Sequence, residues 1–199
     1  MLARRGRVAA LAALLLFAAV AYAQTTVSTS TPQSVSYGGK TYKTVVIGGK
    51  MWMAENLNYQ TASGSWCYAN NISNCDKYGR LYDWKTAKKV CPTGFHLPSR
   101  QEWNDLVNAA GGYKKLKARS GWDINGNGTD NFGFSALPGG ARDSDGRFSN
   151  AGSLGLWWTA TEDDAGVAYY HRGMSYDNGY VDEYNYDKSD GYSVRCVAD

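Results

Sequence analysis

Two stretches of this sequence hold residue types at spacings suited to chemistry. The first is Asp123-Ile-Asn125-Gly-Asn127-Gly-Thr-Asp130, which alternates carboxylate and amide oxygens with glycines, the way loops for hard cations are built. An EF-hand loop would continue to a bidentate Glu at its twelfth position. Here that position is Phe134, and no flanking helix period is present. Asp123, Asn125, Asn127 and Asp130 are thus a candidate Ca²⁺ set, weighed against a polar turn whose side chains cap their own backbone. The second stretch, residues 165–192, intersperses tyrosines with Asn, Asp, Glu, His and Arg. Tyr170, Arg172, Tyr176, Asn178, Tyr180, Tyr184 and Tyr186 form the candidate ligand-binding set. A rigid aromatic body with a polar tip provides contact area at small entropy cost, and the same rings can stack on sugar faces. The alternative is a terminal antiparallel sheet in which every second Tyr packs inward.

Catalytic machinery is harder to find. His96 and His171 are the only histidines. His96, in Gly-Phe-His-Leu-Pro, reads as a packed ring donating to a backbone carbonyl. No Gly-x-Ser-x-Gly elbow is present, so no catalytic residues are assigned.

Cys67, Cys75, Cys91 and Cys196 read as disulfides, and four cysteines permit three connectivities among which sequence alone does not choose. Chain geometry favours Cys67–Cys75 across a short polar stretch able to fold back, with Cys91–Cys196 then tying the middle of the chain to its end. In the loop-entropy account the long bridge is worth roughly 4.7 kcal/mol and the short one about 2.5 kcal/mol. Zinc is disfavoured, because no Cys-x-x-Cys pair exists.

The compartment follows from the start of the chain. Arg4, Arg5 and Arg7, the apolar run from Val8 to Val20 and Ala21-Tyr22-Ala23 form the three parts of a secretory signal peptide, residues 1–23. The 199-residue chain has 21 basic and 18 acidic side chains, and removing that segment leaves 18 of each. A neutral exported chain with no basic run longer than two residues is a poor partner for nucleic acid. No later apolar stretch is long enough to span a membrane. The expected location is secreted, periplasmic or at the outer cell surface.

The elements that must hold these residues can be read locally. Residues 24–36 are Ser- and Thr-rich and read as a flexible leader. Gly38-Gly39 and Gly48-Gly49, each between β-favouring runs, predict a small antiparallel meander from Tyr37 onward. Asp83 caps a short helix expected from Trp84 to about Val90, before Cys91-Pro92. Ser99-Arg-Gln-Glu102 is a capping box for a second helix, with Gly111-Gly112 as its stop. Beyond it, Gly-rich loops alternate with strand-like pieces such as residues 155–161 and 192–197. Trp52, Trp84, Trp103 and Trp157 read as core, and Trp66 and Trp122 as loop residues open to solvent.

The strings VIGGKMWMAENLNY, YGRLYDWKTA, CPTGFHLPSRQEWNDL, DNFGFSALPGG, WWTAT and SVRCV, in that order, resemble the Fibrobacter succinogenes major paralogous domain, a family of secreted bacterial proteins, over residues 37–199. That family is similar in turn to C-type-lectin-like and formylglycine-generating-enzyme folds. The resemblance implies an α+β domain with two helices followed by antiparallel strands and long loops, with its chain ends brought together and Cys91 paired to Cys196. It supplies no agreed activity. The expectation is an exported, non-catalytic binding or cell-surface module for a glycan or protein. The alternatives are a redox or hydrolytic relative of the formylglycine-generating enzymes and an envelope structural protein without ligand.

Overall fold

Two glycine pairs begin the fold. Gly38 and Gly39 have φ of 57° and 79°, and Gly48 and Gly49 have 61° and 80°. Successive positive φ values are what two-residue turns between right-twisted strands require. They join β1 (Ser34–Tyr37), β2 (Lys40–Ile47) and β3 (Lys50–Met53) into an antiparallel meander. The computed structural model describes residues 34–162, 168–177 and 185–199, with backbone alone for 168–172 and 185–186. The expected signal peptide lies outside the described residues. Ser34–Ser36, read from composition as leader, belong to β1, paired with Thr41–Lys43.

Next come β4 (Ser65–Trp66), α1 (Ile72–Tyr78), β5 (Leu81–Tyr82), α2 (Trp84–Ala87), β6 (Phe95–His96) and α3 (Arg100–Ala110). The strands β7 (Ala141–Arg142), β8 (Phe148–Ser149), β9 (Leu154–Glu162), β10 (Ala168–Ser175), β11 (Asn185–Tyr186), β12 (Tyr192–Ser193) and β13 (Val197–Ala198) complete the series. The fold is mixed α+β, and its pairings are antiparallel apart from the contact of β12 with β9. One sheet has the order β1-β2-β3-β13-β6, a second β11-β10-β9-β12-β5-β4, and β7 pairs with β8. Strands therefore precede the helices, as the glycine pairs predict, and also separate and follow them, so only the strands between the helices depart from the order implied by the resemblance. The last strand fills the gap between β3 and β6, with Val197 opposite both Trp52 and His96, so the two ends of the domain meet in one sheet.

The helices obey their caps. In α3 the Ser99 hydroxyl accepts from the Glu102 amide, the Glu102 side chain accepts from the Ser99 amide, and Gly111 terminates it at φ 71°. Asp83 caps α2 by accepting from the Thr86 amide. This helix stops short of Val90, because the chain tightens into an i→i+3 bond from Lys89 to the Thr86 carbonyl at 3.0 Å. Sequence reading missed α1. The stretch between Cys67 and Cys75, expected to be a simple loop, holds a 3₁₀ turn at Tyr68–Asn70 and the start of α1, whose cap Asn71 accepts from the Ser73 amide at 3.0 Å.

Two disulfides staple this frame, Cys67–Cys75 and Cys91–Cys196, the favoured connectivity. Two cores lie on either side of β9. Successive strand residues face opposite ways, so Trp157 packs with Trp52, Trp103 and Phe134 while Trp158 packs with Tyr82, Trp84 and Tyr192. Trp122 corrects its expected exposure. It is buried, its indole N–H donates to the Ala136 carbonyl at 3.0 Å, and the Lys117 ammonium lies 4.1 Å from its ring. Trp66 is partly buried against the Arg142 guanidinium, 4.1 Å from the ring centroid.

The cores are joined by a buried charge. Arg195 is fully enclosed, and its Nε and Nη2 donate to Asn56 Oδ1 at 3.1 and 2.7 Å. Nη1 donates to the Phe134 carbonyl, and the guanidinium stacks 4.3 Å from the Phe134 ring. Asn56 Oδ1 also accepts from Trp157 Nε1 at 2.9 Å, and its amide donates to the Tyr78 carbonyl at 2.9 Å. Burial pulls the guanidinium down to about 9, opposed by the carboxylates of Glu55 and Asp130, so it stays charged at neutral pH. Removing a hydrogen-bond partner from a buried charge leaves its desolvation cost uncompensated. Asn56→Ala is therefore expected to lower unfolding free energy by about 3 kcal/mol in urea titration, against less than about 1 kcal/mol for the exposed Val46→Ala.

Candidate functional site

The site is built on the segment that leaves α3. After Gly111, Gly112 and a 3₁₀ turn at Tyr113–Lys115, the chain passes Lys117, whose backbone bridges to Ala136. The 122–131 loop folds back over this segment, with Gly128, Thr129 and Asn131 donating to the carbonyls of Ala118, Lys114 and Lys115 at 2.8, 2.8 and 2.9 Å. That approach demands glycine at position 128, where a Cβ would lie 2.3 Å from the Lys117 carbonyl oxygen. At the loop tip Ile124 has φ 33° and is 78% exposed, a left-handed backbone that a β-branched side chain adopts only under strain.

Between this loop and the end of β10 opens a cavity of about 350 Å³, lined by Tyr113, Lys114, Lys117, Asn125, Asn127 and Tyr176, with Asp177 at its edge. The two stretches singled out from sequence therefore meet here. Gly126 packs so closely on Tyr176 that a Cβ would sit 2.7 Å from its backbone and side chain. The Tyr176 amide donates to the Ser153 carbonyl at 2.9 Å, which holds the ring's position along the chain. Lys117 donates to the Ser175 carbonyl at 2.7 Å. Burial lowers its ammonium, while the Asp177 carboxylate favours the charged form. The lining thus offers two aromatic bodies, amide groups and a cation held from one side, the mixture that orients a hydroxyl-rich ligand.

The four oxygens proposed for Ca²⁺ are not used together. Asp123 Oδ2 accepts from the Ser153 hydroxyl at 2.9 Å, while Asp130 accepts from the Ser135 amide and hydroxyl at 2.8 and 2.6 Å. Asn127 Oδ1 accepts from the Trp122 amide at 3.1 Å, and Asn125 stays exposed at the cavity wall. Among the described residues, no three His, Cys, Asp or Glu side chains gather to hold a metal ion.

Of the tyrosine-rich set, Tyr176 alone has a described side chain. Tyr170 and Arg172 sit on β10 and Tyr186 on β11, with backbone alone described, Tyr170 opposite Trp158 and Tyr186 opposite Ala168. Asn178, Tyr180 and Tyr184 lie outside the described residues. Tyr192 belongs to the core, its ring 4.6 Å from Trp158 and its hydroxyl donating to Asp190 at 3.2 Å.

The family model for the Fibrobacter succinogenes major domain matches residues 45–198. The chain belongs to this family. No curated protein and no solved structure matches it. The matched span of this Fibrobacter succinogenes major domain contains the cavity, both disulfides and the Arg195 network.

His96 serves a different end from the one expected. Its ring does not meet a carbonyl but bridges two carboxylates, Nδ1 to Asp199 Oδ1 at 2.7 Å and Nε2 to Glu102 Oε1 at 2.9 Å. Lys50 donates to the same Glu102 oxygen at 2.8 Å, and the Ser99 amide and hydroxyl donate to the other oxygen. The capping box signalled Glu102 as a cap, but the convergence of Lys50 and His96 on it comes from β3 and β6 meeting α3. Burial raises the Glu102 carboxyl, but the bonds from Lys50, Ser99 and His96 outweigh it and hold the group at about 2. For His96 burial opposes the charge, and the bonds to Asp199 and Glu102 outweigh it, so the imidazole is raised.

The pH dependence follows from these directions. Glu102, depressed in the folded state, adds stability above its ordinary value of 4.5 that is lost as pH falls from there to about 2. His96, raised, adds stability below 6.5 that is lost as pH climbs through its folded value. Its ring is 38% exposed, so solvent screening makes this the smaller effect. Melting temperatures measured from pH 2 to 8 should therefore fall on the acid side, and Glu102→Gln should flatten that decline.

Proposed function

We propose that this chain is an exported, non-catalytic binding module that takes a hydroxyl-rich ligand, a glycan or a polar protein loop, in the cavity between the 122–131 loop and Tyr176. The observation carrying this reading is the cavity itself, where Asn125 and Asn127 from one stretch share a wall with Tyr176 from the other. Supporting it, the loop is laced by backbone bonds to a rigid segment, so little ordering cost remains for binding. The strain at Ile124 is of the kind retained at recognition loops.

The thiol-dependent alternative has less support. All four cysteines are engaged in disulfides, leaving no thiol for an oxidase of the formylglycine-generating kind. A C-type-lectin-like fold is the reading favoured by the pairing of the domain's two ends in one sheet, the bridge from Cys91 to the last segment and the long glycine-rich loops. The disulfides and the signal-like start together support export to the cell surface or beyond.

A glycan array followed by calorimetry with the best binder tests this function. Tyr176→Ala and Asn125→Ala should each weaken binding about tenfold or more without changing the melting temperature by more than a few degrees. Gly126→Ala, which forces Tyr176 away from the loop, should weaken binding while leaving both disulfides formed. Retention of full affinity by all three variants would remove the cavity as the site.

A further inference from the structure

A second opening, sharing no residue with the first, lies where the β1–β2 hairpin, the 59–65 loop and α2 come together. It holds about 420 Å³ and its lining includes Tyr37, Tyr59, Thr61, Asp83, Lys85 and Lys89. That volume is in the range of small-ligand sites, roughly 300–1,000 Å³.

One wall is aromatic and held in place. The rings of Tyr37 and Tyr59 lie 4.6 Å apart, tilted by 37°. Tyr59 is clamped by the buried Tyr82, whose hydroxyl accepts from the Tyr59 amide at 2.9 Å and donates to the Tyr59 carbonyl at 2.8 Å. Burial raises the Tyr82 phenol well above its usual value, so the proton it donates is retained at any physiological pH. Gly38 makes room for the pair: its φ is 57°, and a Cβ there would lie 2.3 Å from the Tyr59 ring. The rest of the 59–65 loop is polar and held by its own bonds. Thr61 donates to the Ser63 carbonyl at 2.7 Å and to the Ser65 hydroxyl at 2.8 Å, and the Gly64 carbonyl accepts from the Asp83 amide at 3.1 Å. The Asp83 carboxylate is turned to the helix, accepting from the Thr86 amide at 2.8 Å.

The charge at the rim is basic. Two other lysines of this region, Lys88 and Lys188, share Glu162 at 3.4 and 3.1 Å and lie over the Trp84 ring. Lys85 and Lys89 are exposed and pair with no carboxylate among the described residues. A fixed aromatic face, neighbouring hydroxyls and two ammonium groups that outnumber the single Asp83 carboxylate match a ring with an apolar face, hydroxyl edges and an anionic group.

We propose that this groove binds a saccharide carrying a carboxylate, a uronate-containing oligosaccharide, with its ring face on Tyr37 and Tyr59 and its carboxylate at Lys85 and Lys89. Calorimetry of the purified protein with trigalacturonate, and with maltotriose as neutral counterpart, tests this. At about 20 mM salt trigalacturonate should bind about tenfold or more tighter than maltotriose, with the advantage shrinking at about 200 mM. Tyr59→Ala should abolish binding and Tyr59→Phe preserve it. The double variant Lys85→Ala/Lys89→Ala, on exposed side chains that do not endanger folding, should make the two sugars equal. Tyr176→Ala should change neither, which separates this groove from the cavity at the 122–131 loop. Equal binding of both sugars, no binding of either, or an acidic preference unmoved by the lysine variants would overturn the proposal.

Discussion

A fully buried guanidinium that forms no direct ion pair among the described residues is the constraint on which this fold turns. Taking a charge out of water costs several kcal/mol even after relaxation, and Arg195 recovers that cost chiefly from the dipoles of Asn56 Oδ1, the Phe134 carbonyl and the Phe134 ring, with the Glu55 and Asp130 carboxylates adding attraction from farther off. Dipoles compensate a charge only when their direction is fixed. Asn56 is fixed by Trp157 from β9, the Tyr78 carbonyl at the end of α1 and the Ser193 hydroxyl of β12. The neighbouring Cys196 is tied to Cys91. One side chain thus requires the simultaneous placement of elements distant in sequence, and the last strand can close its sheet only when that placement is made.

The same network reaches the cavity. Phe134 and Ser135 receive Arg195 on one side, and Ser135 donates to Asp130 on the other, so the far end of the 122–131 loop is anchored to the centre of the molecule. Its near end is anchored through Trp122 to Ala136. A recognition loop held at both ends by buried groups loses little entropy on binding. The Tyr37–Tyr59 groove follows the same plan, a tight turn and a buried tyrosine holding half-buried rings. Among the described residues, tryptophans and a few tyrosines build the cores, while Tyr37, Tyr59, Tyr113 and Tyr176 line the two openings.

Features set by neighbours in the chain were legible from sequence. The glycine-pair turns, the capping box from Ser99 to Glu102 and the Asp83 cap each depend on residues within four positions of one another. The short disulfide, between cysteines eight positions apart, is nearly as local. Apart from the Cys91–Cys196 bridge, features set by distant partners were not legible. Trp122 looked exposed because its surroundings are polar in sequence, yet Ala136 and Lys117 enclose it. The α1 helix was hidden because no apolar period marks a helix whose Cys75 is held by a disulfide. His96 was given a backbone carbonyl, and received two carboxylates from α3 and the chain's last residue instead.

For the site the division is similar. Sequence by itself determined the inventory: a glycine-punctuated Asx loop, tyrosines with polar tips, four cysteines and the local signals that start and stop helices and turns. Only the tertiary structure decided which of these meet. It set Asn125 and Asn127 beside Tyr176, sent the carboxylates of Asp123 and Asp130 to separate serines, and stacked Tyr37 on Tyr59 across a turn. The physical reason is range. Turn and cap preferences are settled by backbone sterics and hydrogen bonds within a few residues, whereas the neighbours of an exposed ring or carboxylate depend on how buried groups far along the chain satisfy a charge such as Arg195.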